Sequence, residues 1–142
     1  MTKEAGQTTI LVVGLGLLAF AIAGVAIDGT RAFILRRNLQ NAADSATVAG
    51  AAEIDQELYY LTGGKRIVLD EGDASAMSLS YLAQRGLTAG ASVDSDPEGV
   101  YVVVREESPT TFLRLIGIEA IPVAVEAQAE PRTELSPGST LR

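Results

Sequence analysis

Residues 5–27 read AGQTTILVVGLGLLAFAIAGVAI, and not one of their side chains carries a charge. A bilayer's hydrocarbon core takes about 20 consecutive apolar residues at helical rise, and a run of roughly 18 or more marks a spanning helix rather than a buried one. Lys3 and Glu4 stand before the run; Asp28, Arg31, Arg36 and Arg37 follow it, so charge brackets both ends as two membrane interfaces require. Two alternatives pass the same test, a buried core helix and the apolar region of a cleaved signal peptide. Ala21-Ile22-Ala23 before Gly24 has the small-x-small pattern that signal peptidase reads. Cleavage near Ala23 would release a secreted acidic binding module. The helical pattern runs through Gly24 without a breaker, however, and the cut would strand Val25, Ala26 and Ile27 at a new terminus, which favours an anchor.

Beyond Asp28 the pattern turns amphipathic, with neither a proline nor a glycine pair to stop it. The sequence therefore predicts one helix from near Thr8 to near Glu57, roughly 75 Å long at 1.5 Å per residue. Leu35, Leu39, Ala42, Ala46, Ala49 and Glu53 recur at alternating spacings of four and three, the rhythm of a helix packing along another helix. Alanine knobs permit close approach but bury little area each. The partner is a neighbouring subunit or the chain's own distal domain. Asp28 and Arg31 lie one turn apart and are expected either to pair or to be solvated at the interface. Gly14, Gly16, Gly24, Ala19 and Ala23 would admit a second helix, or are ordinary lipid-facing residues.

The 142 residues leave room for the anchor and one small domain. Cysteine, tryptophan and histidine are absent, which removes the thiol nucleophile, the imidazole base and the usual zinc ligands together. Nothing marks a catalytic site, a cofactor or a metal, and the expectation is a protein without enzymatic activity. Net charge is −7; residues 51–142 hold seven basic and fifteen acidic groups. Such a surface repels a phosphate backbone, so nucleic acid is not an expected partner.

Along the distal chain, Tyr59 to Gly64 (YYLTGG) reads as the exit from the long helix. Ile67, Val68 and Leu69 form a short extended piece. Asp70 to Asp73 supply the cap and first-turn carboxylates of a helix over about Glu71 to Arg85, with Ala74, Met77, Tyr81 and Leu82 on its apolar face and Gly86 as its stop. A metal site is the alternative use of those acids. Ala89 to Asp94 and Val100 to Glu106 predict a hairpin turning through Ser95-Asp96-Pro97-Glu98-Gly99. Asp94, Asp96, Glu98 and Gly99 imitate a calcium loop, but its twelfth position is Arg105 where a bidentate acid is needed. Ser108-Pro109 reads as an N-cap and first position of a short helix through Phe112, Leu113, Leu115 and Ile116 that stops at Gly117. Ile121 to Ala129 predicts a third strand, with Pro122 near its start. The last residues, 131–142, carry two prolines and predict a disordered tail.

Gly6, the apolar run, Asp28-Gly29-Thr30-Arg31 and then Leu39-Gln40-Asn41-Ala42-Ala43-Asp44 together resemble the N-terminal segment of the TadE/TadG-like proteins of tight-adherence (Flp-type) pilus systems. The later order, with Pro109-Thr110-x-Phe112 ending at Gly117, is similar to that family too. The resemblance implies a type IV pilin-like, membrane-anchored structural or assembly component with no catalysis of its own. Its implied partners are membrane lipid and other pilin-like or pilus-assembly subunits, in a homo- or hetero-oligomer through the N-terminal helix. The implied place is the cell membrane or a surface pilus, in a single pass with the C-terminal domain extracytoplasmic. Pilin precursors carry a glutamate five residues after the cleavage-site glycine; counted from Gly6 that position is Leu11. The expected fold is α+β and pilin-like: lead and anchor over 1–27, the same helix over 28–57, then over 58–130 one helix packed on a three-stranded antiparallel sheet.

Overall fold

Helix α1 runs from Lys3 to Gly50, 48 residues without interruption, in a computed structural model that describes residues 3–131, and their side chains from Gln7 on. No proline enters it. Thr30 and Ser45 return their hydroxyls to the carbonyls of Ala26 and Asn41, so neither leaves a polar group seeking a partner elsewhere. The tail expected over 131–142 lies, from residue 132 on, outside the described residues.

The helix ends at Gly50, short of the expected Glu57, and the chain after it enters an extended pairing. Helix α3 (Glu71–Ala83) crosses so close that a Cβ on Gly50 would stand 2.7 Å from the Ala74 carbonyl oxygen and collide with Ser78 Oγ. Glu53, Ile54 and Asp55 then run extended. Ile54 bridges Leu69, the Asp55 N–H donates to Val68 O at 2.9 Å, and the Asp70 N–H donates to Glu53 O at 3.0 Å. Asp55 opens a new short helix, α2 (Gln56–Leu61), by accepting the Leu58 N–H at 2.9 Å. An Asp followed by two polar residues carries that cap signal in sequence, and continuous helical periodicity masks it.

Helix α3 (Glu71–Ala83) begins as expected: Asp70 accepts the Asp73 N–H at 3.0 Å and Glu71 and Asp73 occupy the first turn. Gly86, at φ +72°, follows its end. Its buried face consists of Ala74, Ser78 and Leu82. Met77, expected there, is exposed, and Ser78 takes the inner position because its hydroxyl donates to Ala46 O at 3.0 Å.

Strands β1 (Ala91–Asp96), β2 (Gly99–Pro109) and β3 (Ala120–Ala129) form one antiparallel sheet in the order β1-β2-β3. The hairpin register runs from Ala91 opposite Val104 to Asp96 opposite Gly99. In the central strand Val100, Val102 and Val104 are buried, with Tyr101 and Arg105 turned outward, the period of two that a half-buried strand requires. The architecture is thus α+β, a long apolar N-terminal helix followed by a small domain of helices and a three-stranded sheet.

The chain divides into two compact units. One holds the residues up to Leu35 together with Glu107–Val123; the other holds Arg36–Glu106 together with the residues from Ala124 on. The second contains the larger apolar core, with Leu39, Ala42, Ala43, Ala46, Leu69, Ala74, Leu82 and the three β2 valines all buried.

Candidate functional site

Asp28 ends the uncharged run, yet it is only 1% exposed. Buried carboxylates are costly unless their oxygens are satisfied, and here the connection between β2 and β3 satisfies them. Oδ1 accepts the Thr111 N–H at 2.9 Å; Oδ2 accepts the N–H groups of Phe112 and Leu113, each at 2.8 Å. These are the free donors at the start of a short 3-10 turn, Leu113–Ile116, which has no cap from a neighbouring side chain. Arg31, one helical turn on, adds a fourth tie by donating from its guanidinium to Thr111 Oγ1 at 2.7 Å. Pairing and solvation were the two expectations for Asp28 and Arg31. Burial rules out solvation of Asp28, and both side chains serve the same loop.

Ser108 and Pro109 do not start a helix, as their spacing had suggested: both belong to the end of β2. A local cap was the natural reading of Ser-Pro, but the turn begins later and takes its cap from Asp28, far away in sequence. The loop is closed below by Thr110, whose N–H donates to Glu119 O at 3.0 Å and whose hydroxyl donates to the carbonyls of Ile118 and Glu119. Gly117 reverses the chain at φ +90°, the left-handed conformation expected of a helix stop.

Phe112 fixes the loop against the apolar run itself. Its ring meets Phe20 edge to face, centroids 5.4 Å apart at 71°. Gly24 lies under it: a Cβ there would be 2.6 Å from Phe112 Cβ. The small residue at position 24 therefore admits a loop of this chain, not a second helix. By contrast, nothing lies within 4 Å of where a Cβ on Gly14 or Gly16 would be.

The helix-packing seam has a different fate. Leu39, Ala42 and Ala46 are buried within the chain's own fold, while Leu35, Ala49 and Glu53 are half-buried. Of the remaining motif residues, Ala43 is fully buried, and Gln40 Nε2 donates both to Asp44 Oδ1 at 2.8 Å and to the Glu126 carbonyl of β3 at 3.0 Å. Asn41 and Gly29 face outward. Gly6 lies on α1. The motif thus works largely inside the protein, as a loop clamp in one unit and as helix-to-sheet packing in the other.

Asp96, from the calcium-like loop, accepts the N–H groups of Glu98 and Gly99 at 2.8 Å each and so holds the hairpin turn. Asp70 is likewise engaged as a cap. Among the described residues no three His, Cys, Asp or Glu side chains gather to hold a metal ion.

The fold and the clamp together define a class: a small α+β domain joined to a helix, Gln7–Gly50, long and apolar enough to cross a membrane. Residues 6–53 match the family model described as "Putative Flp pilus-assembly TadE/G-like". That match falls on α1 and the three residues after its end, about a third of the chain, and it shows that this stretch is similar to that pilus-assembly family. No curated protein and no solved structure matches the chain.

Proposed function

We propose that this chain is a membrane-anchored, pilin-like structural or assembly component of a tight-adherence (Flp-type) pilus. The observation that carries this reading is the coincidence of the family match over residues 6–53 with a helix whose first half leaves its large apolar side chains uncovered. Ile10, Leu11, Leu15, Leu17, Leu18 and Ile22 are all more than half exposed. Water is a poor surrounding for so continuous a row, and a bilayer or a bundle of like helices a good one.

Under this reading residues 1–27 are lead and anchor, 28–57 extend from the membrane, and 58–130 form the extracytoplasmic domain. Because Leu39, Ala42 and Ala46 are used within the fold, contact with other pilin-like subunits falls on the apolar run and on the exposed Phe33 and Ile34. Release by cleavage after Ala23 fits less well, since it would remove Phe20 and expose the Phe112 ring that packs on it.

Fractionation of cells, N-terminal sequencing of the mature chain and mass spectrometry of sheared pili test the proposal together. The expected result is an integral membrane protein that retains residues 7–27 and is recovered with the filaments. A mature chain starting at Gly24 in the soluble fraction would overturn it. Protease treatment of intact cells reads the orientation, and the domain is expected to be accessible from outside.

A further inference from the structure

The loop clamped by Asp28 carries an apolar surface that the clamp leaves unused. Leu115 is 75% exposed, Ile116 73% and Ile118 44%. Its position beside α1 gives this surface a meaning. Phe112 of the same loop packs on Gly24 and Phe20, which lie about 6 and 12 Å back from Asp28 at helical rise. The loop therefore lies alongside the last turns of the uncharged run and not beyond its end.

We propose that residues 112–118 form a membrane wedge, which puts Leu115, Ile116 and Ile118 into the acyl boundary of the leaflet at the Asp28 end of the anchor. This rests on the anchor reading above.

A second observation makes the loop compatible with lipid. Irregular backbone survives in contact with lipid only when its polar groups are paired within the protein, because each unpaired group there costs several kcal/mol and water is not at hand. The N–H groups of Thr111, Phe112 and Leu113 go to the Asp28 carboxylate. Those of Thr110, Leu115, Gly117 and Ile118 go to Glu119 O, Phe112 O, Arg114 O and Leu113 O. Arg114, exposed between the apolar residues, has a stem long enough to keep its guanidinium at the headgroups while its neighbours enter the boundary.

The chain contains no cysteine, so single cysteines label cleanly. Leu15→Cys and Ile116→Cys, each carrying an environment-sensitive fluorophore, are reconstituted as the full chain in phosphatidylethanolamine–phosphatidylglycerol vesicles. Some vesicles contain lipid with a nitroxide low on the acyl chain, others with one near the headgroup. Both labels are expected to be quenched, Leu15→Cys more by the deep nitroxide and Ile116→Cys more by the shallow one. If Leu15→Cys is quenched and Ile116→Cys keeps its fluorescence with a water-like emission, the anchor stands and the wedge is overturned. An Ile116→Cys label shielded from water yet untouched by either nitroxide also overturns it, since protein then covers the loop. Failure of quenching at Leu15→Cys overturns the anchor and the wedge with it.

Discussion

Helix α1 is held in two different ways along its length. In the unit that contains residues up to Leu35, one carboxylate gathers three backbone donors and one aromatic ring packs over one glycine. In the unit that begins at Arg36, holding is spread over Leu39 and over Ala42, Ala43, Ala46 and Gly50, small residues that each contribute little area and permit close approach. The first arrangement is polar and concentrated, and it fails when one residue fails. The second is apolar and distributed, and its stability sits in packing volume. On the anchor reading proposed above, the difference suits the setting of each. A loop against an uncharged helix gains little from apolar attraction in lipid and needs directional bonds to stay in place. A domain in water gains from every methyl group it hides.

The largest effect is expected where the distributed arrangement has its one large side chain. Leu39 is 2% exposed, and Leu39→Ala is expected to cost about 2–5 kcal/mol, as buried leucine truncations do. Denaturant unfolding of the full chain in detergent micelles, followed by circular dichroism, measures it. A cost below about 1 kcal/mol would mean that the alanines around Leu39 close over the gap and that the packing is looser than its burial implies.

Asp28→Ala attacks the concentrated arrangement and is read differently, as opening of the loop. The N–H groups of Thr111, Phe112 and Leu113 lose their acceptor at once, and cleavage by trypsin after Arg114 is expected to rise by about tenfold or more, since hydrogen bonds to a charged group are among the stronger ones. Asp28→Asn keeps one acceptor oxygen and brings an N–H₂ group toward a donor, so it should fall between the two. The denaturation midpoint of the unit that begins at Arg36 should stay where it was. An unchanged cleavage rate in Asp28→Ala would show that the Phe112 contact with Phe20 and Gly24 is enough to hold the loop.

These two regions were not equally legible in the sequence. The uncharged run, the Asp70 cap, the Gly86 and Gly117 reversals and the hairpin around Asp96 all follow from residues within a few positions of one another, and the structure shows each of them. The clamp depends on a contact between Asp28 and residues 111–113, a distance along the chain at which no local rule speaks. Ser108-Pro109 then offered a plausible local cap in its place. The end of α1 was obscure for the same reason: the chain after Gly50 pairs Ile54 with Leu69 and Asp55 with Val68, partners beyond the reach of a local pattern. A serine in the buried row of α3 was hidden too, because a hydrophobic pattern assigns the inner face to Met77.

Ser78→Ala is the smallest of the expected effects and tests how far the two arrangements are separate. The side chain is fully buried and donates to Ala46 O at 3.0 Å. Ala46 O lies in the helical part of α1, where the backbone ladder supplies a second donor to such carbonyls. Truncation therefore removes one hydrogen bond without orphaning its acceptor, and the expected cost is about 1 kcal/mol, again by denaturant unfolding. The trypsin cleavage rate after Arg114 should not change, because none of the clamp's bonds involves Ser78. A rate that rises with Ser78→Ala would mean that the packing from Leu39 to Gly50 also sets the position of α1 at Asp28, and the concentrated arrangement would then depend on the distributed one.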